Sequence, residues 1–129
     1  MKPAMIVLAL ALGLATAAHA GLKNTVGVTV DTVNHKAFGA LGEARNSSDS
    51  IEAAGCQTSV VAGQSITALC FAIDANGVQV MCSSTDRRIV QVAESIGTDA
   101  AFSFSYDPKS GNCLTLLVFN ASEFGPKQP

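Results

Sequence analysis

Four cysteines, Cys56, Cys70, Cys82 and Cys113, constrain this chain more than any other feature. Their intervals of 14, 12 and 31 residues include no close C-x-x-C pair of the kind that a zinc site needs. No metal site is therefore expected. An even count in a small chain reads instead as two disulfides, which require an oxidising compartment.

The N-terminus supplies a route to one. Lys2 is followed by an apolar run, Ala4 to Ala18, and by the A-x-A pattern Ala18-His19-Ala20. Residues 1–20 read as a cleaved signal peptide. Residues 21–129 read as a single disulfide-stabilised, β-rich domain. The expected location is periplasmic or secreted.

The sharpest local signal is Asp74-Ala75-Asn76-Gly77, a three-residue hairpin loop whose glycine takes the left-handed conformation. If Asp74 and Val78 flank it, Cys70 lies directly across from Cys82, at about 5.5 Å between Cα atoms. The register favours Cys70–Cys82, leaving Cys56–Cys113. Cys56–Cys70 with Cys82–Cys113 stays open as the second pairing.

Strand patterns surround that hairpin. Val26, Val28 and Val30 alternate with polar or small residues. Asn34 to Lys36 reads as a turn, and Ala37 to Glu43 as a bent strand. Ile51 to Val61 is a weaker strand of small residues, with Gly55 as a possible bulge. Ser65 to Ile73 is apolar on both parities, as a central strand covered on both sides would be. Ile89, Val92, Ala93 and Ile96 share one helical face over about three turns. Ser84 or Thr85 would cap that helix, Asp86 would sit in its first turn, and Gly97 would end it. Phe102, Phe104 and Tyr106 alternate, and Cys113 to Asn120 is a strong apolar strand. The class is mainly β with one helix: a small OB-like Greek-key barrel or a curled antiparallel sheet. A two-layer α+β arrangement is the alternative.

Charge limits the partners. Residues 21–129 hold seven basic and ten acidic side chains, a net of −3 with His35 neutral. Such a surface does not attract nucleic acid or anionic lipid at long range. No membrane insertion of the mature chain is expected. Catalytic motifs are absent from the sequence. His35 is the one mature histidine, and its place beside Asn34 and Lys36 reads as an exposed turn. Two disulfides would leave no thiol nucleophile. No cofactor is implied, and the chain reads as a non-enzyme.

Two places remain as candidate contacts. Ala44 to Ser50, ARNSSDS, is the most polar stretch, and Arg45, Asn46 and Asp49 offer donors and acceptors on a connection. Arg87 and Arg88 stand where a helix dipole disfavours cations, and so could meet an acidic partner or pair with Asp86.

The ARNSSDS segment, Gly55-Cys56, Cys70 with Ala72, Asp74 and Gly77, Cys82, and Gly111-Asn112-Cys113 together resemble a group of small exported bacterial proteins to which no activity is attached. The resemblance implies export and crosslinking, and brings no catalytic residue. The expected function is binding of another envelope or secreted protein, or of a glycan, through surface loops. An inhibitor or immunity-type partner of an exported enzyme is the second reading. A small hydrolase using carboxylates is the third.

Overall fold

A computed structural model describes residues 21–129, so the leader assigned to residues 1–20 lies outside the described residues. The strands are β1 (Thr29–Asp31), β2 (Lys36–Ala40), β3 (Ala53–Ser59), β4 (Thr67–Ile73), β5 (Gln79–Ser84), β6 (Ala101–Tyr106) and β7 (Cys113–Phe119). Two helices, α1 (Leu41–Asn46) and α2 (Arg87–Glu94), interrupt them. The strands form two antiparallel sheets, of order β1-β2-β6-β7 and β3-β4-β5.

The hairpin chemistry read from Asp74 to Gly77 is realised. The Gly77 N–H donates to the Asp74 carbonyl at 2.8 Å, and Gly77 adopts φ 78°. An L side chain rarely takes that conformation, so glycine is the residue that closes the loop without strain. The register follows: Ile73 faces Gln79 and Cys70 faces Cys82.

The pairing favoured from that register is nevertheless corrected. Cys70 is bonded to Cys56 and Cys82 to Cys113. β4 is the middle strand of its sheet, so Cys70 faces a cysteine on each side, Cys56 on β3 and Cys82 on β5. Local turn chemistry fixes only the β5 neighbour. The Cys56–Cys70 bond lies within one sheet, and Cys82–Cys113 ties the two sheets together. Two disulfides mark an oxidising, extracellular environment.

The barrel expectation is also corrected, in favour of the curled antiparallel sheet. Among the described residues the one backbone bridge between the sheets is parallel, from Ser83 of β5 to Asn112 just before β7, where the Ser83 N–H donates to the Gly111 carbonyl at 3.0 Å. Beyond that corner no ladder joins the sheets. α2 packs against both, with Val90 and Ala93 buried. The core between the sheets holds Phe102 and Phe104 of β6, Ala68, Cys70 and Ala72 of β4, and Val80 and Cys82 of β5. β4 is central as expected, but its second face, with Leu69, Phe71 and Ile73, is only half-buried.

Close approach of β2 and β3 depends on Gly39. A Cβ there would collide with the Ala54 Cβ. The β3–β4 ladder runs unbroken through Gly55, without the expected bulge. α1 replaces the second half of the bent strand expected at Ala37 to Glu43. α2 spans eight residues, about two turns and not three. Its N-cap is Asp86, while the Ser84 hydroxyl accepts from the Asp86 N–H. Asn120 closes the other end: its side-chain amide donates to the Ser95 carbonyl and accepts from the Gly97 N–H. Among the described residues, no helix is long and apolar enough to cross a membrane.

Candidate functional site

Arg45 lies in the last turn of α1, where a cation suits the negative end of the helix dipole. α1 is held by its packing and not by propensity. It contains Gly42, its N-cap Ala40 makes no side-chain cap bond, and the buried Ala44 anchors it. The Leu41 N–H donates to the Ala100 carbonyl, fixing the start.

From α1 the chain turns back into β3 through a loop organised by Asp49. One Asp49 carboxylate oxygen accepts from the backbone N–H groups of Ile51 and Glu52, at 2.8 and 2.7 Å. The Glu52 bond, then that from Ile51, holds this carboxyl below its ordinary value. Asp49 therefore shapes the loop, with its charge already engaged. The Ser47 hydroxyl lies within hydrogen-bond distance of the Ala44 and Asp49 carbonyls.

Between α1, this loop, β3 and the C-terminal tail lies a cleft of about 500 Å³. Arg45 and Lys127 bring cations to it; Asp49 and Glu52 bring carboxylates; Leu41 and Ala44 supply an apolar floor. The two carboxylates are committed to backbone donors. Asp49 serves its own loop, and Glu52 accepts from the Val28 N–H at 3.1 Å. Neither cation is in an ion pair, for the one ion pair among the described residues is Arg88–Asp86.

Asn46 takes a different role. Its side-chain amide donates to the Pro126 carbonyl and accepts from the Gln128 N–H, both at 2.8 Å. It thus pairs with the tail as a neighbouring strand would. Asp99 accepts from the Lys127 N–H at 3.1 Å and completes the strap. Lys127 enters the cleft because of these bonds.

Arg87 and Arg88 lie elsewhere, and neither lines this cleft. Arg88 reaches back to Asp86 through two nitrogens, at 3.2 and 2.8 Å, and its own N–H bonds the same carboxylate. Asp86 is pulled down from 3.8 to about 2, first by the Arg88 side chain and then by the Arg88 N–H. The folded value lies below the ordinary one, so this contribution is complete above about pH 4 and lost as pH falls through about 2. Asp86→Asn is expected to flatten the loss of stability between those values, relative to the natural chain. Circular dichroism melts across that range check it; an unchanged acid profile would remove Asp86 from the account.

His35 is less exposed than its turn suggests. It adopts φ 52°, packs against Tyr106 with ring centroids 5.5 Å apart, and leaves a buried Nδ1 without a hydrogen-bond partner. Among the described residues, no group of three or more His, Cys, Asp or Glu is placed to hold a metal ion.

Lys127 joins the cleft without a signal in the sequence, for it belongs to a tail brought back across the fold. No protein-family model matches the chain, and neither curated proteins nor solved structures give a match.

Proposed function

We propose that the mature chain is a non-enzymatic binding module of the periplasm or the extracellular space, and that the Arg45–Lys127 cleft holds an acidic segment of another exported protein. One observation carries this reading: both cations of the cleft are uncommitted while both of its carboxylates are tied to backbone N–H groups. An incoming carboxylate would find donors that need not first break a contact, and the Asp49 turn holds the loop ready. A protein segment suits the cleft better than a sugar, since no aromatic ring lines it for a sugar face to stack on.

The test is titration with a library of acidic and neutral peptides. Arg45→Ala is expected to weaken binding of the acidic peptides by roughly tenfold or more. Arg87→Ala, away from the cleft, is the control and should leave it unchanged. Equal binding of acidic and neutral peptides, or equal loss in the two variants, would refute this reading.

A further inference from the structure

Three of the four cysteines stand in one row across the sheet β3-β4-β5. Cys56 faces Cys70, and Cys70 faces Cys82. Opposed residues of antiparallel neighbours point to the same face of a sheet. An opposed pair such as Cys70 and Cys82 spans about 4.5–5.5 Å between Cα atoms, which a disulfide can bridge. The bonds present are Cys56–Cys70 within the row and Cys82–Cys113, which leaves the row for β7.

Burial differs among the four. Cys70 is 0% exposed, Cys82 2% and Cys113 8%, whereas Cys56, on the edge strand β3, is only half-buried. Thiol–disulfide exchange begins with a thiolate approaching one sulfur of the bond, and access decides which. An external thiol therefore meets Cys56 first. The sulfur released by attack there is that of Cys70, and the next sulfur along the row is that of Cys82.

We infer that the row is a thiol-responsive exchange site, in which attack at Cys56 moves the second disulfide from Cys82–Cys113 to Cys70–Cys82. The co-reactant is a small thiol. In the first step its thiolate bonds to the Cys56 Sγ, the Cys56–Cys70 bond breaks, and the electron pair stays on Cys70 as a thiolate. In the second step the Cys70 thiolate bonds to the Cys82 Sγ, the Cys82–Cys113 bond breaks, and Cys113 leaves as a thiolate that takes a proton from solvent. A second molecule of the small thiol then attacks its counterpart in the mixed disulfide and releases Cys56. The two protons given up by the small thiols end on Cys56 and Cys113. One protein disulfide is reduced while two small thiols are oxidised to their own disulfide, so atoms and electrons balance.

The second step carries the consequence. Cys82–Cys113 is the covalent tie between the two sheets, and its replacement lies within one of them. The exchange thus unclasps the sheets and leaves the smaller one crosslinked. Cys113 is among the residues lining a cleft of about 520 Å³ between α2 and β7, which gives a reagent a way to the released thiol. The inference is independent of the Arg45 reading, because no cysteine lines the Arg45 cleft.

The test exposes the folded, oxidised chain to glutathione in native buffer, traps thiols with N-ethylmaleimide after brief acidification, and maps the products by peptide mass. The expected first adduct carries glutathione on Cys56. The expected product with one disulfide keeps Cys70–Cys82, has lost Cys82–Cys113, and carries maleimide on Cys56 and Cys113. Survival of Cys82–Cys113 with label on Cys56 and Cys70 would mean simple reduction and would overturn the inference. So would a first adduct on Cys82 or Cys113, the mixture of all pairings that an unfolded chain gives, or resistance of both bonds until the chain melts.

Discussion

Removal of the Cys82–Cys113 bond by the double change to alanine is expected to lower the thermal midpoint of the domain by roughly 15 °C. The bond closes a span of 31 residues. In the chain-entropy model such a crosslink stabilises by about 3.5 kcal/mol, against a typical total of about 5–15 kcal/mol. Its position adds to the argument. The two sheets share only the Ser83–Asn112 bridge at that corner, so the covalent bond holds what no ladder does. The same change at Cys56 and Cys70 should cost less, because the β3–β4 ladder aligns that pair without help. Melts followed by far-ultraviolet circular dichroism, with and without strong reductant, compare the two. Equal losses would mean that the bond between the sheets has no special weight.

Phe102→Ala should be comparably severe, at about 3–5 kcal/mol. Phe102 is fully buried and packs against Phe104, with centroids 6.2 Å apart. The surrounding core is rich in alanine, valine and half-cystines, short side chains that refill little of the space left. Phe119→Ala is the comparison, since Phe119 is 40% exposed and should cost much less. Urea denaturation of both variants gives the difference. A loss at Phe102 no larger than at Phe119 would show that the core collapses around the vacancy.

Where the signal was local, the sequence disclosed the structure. The Asp74–Gly77 turn set the β4–β5 register to the residue, because its chemistry lies within four consecutive positions. The helical face was found a residue away from its true centre: Val90 and Ala93 are buried, while Ile89, Val92 and Ile96 pack half-buried around them. α1 was missed because Leu41 to Asn46 has a glycine and only six residues. Its stability comes from Ala100 and β3, which are distant in the chain. The disulfide pairing failed for the same reason, since the β3 neighbour of Cys70 depends on long-range pairing. Of the cleft, Arg45 and Asp49 could be read from a polar connection. Lys127 could not, for it arrives through the grip of Asn46 on the tail.

Cys70, with a cysteine on each flank, also bears on how the molecule is made. If the chain is exported N-terminus first, as proposed, Cys56 and Cys70 emerge before Cys82, and Cys113 comes last. The β3–β4 hairpin could then close and oxidise while the competing thiol is still on the far side of the membrane. A full-length chain released from denaturant has no such head start, and Cys70 meets both neighbours at once. The direction of such export would then select among pairings that the sheet register leaves adjacent.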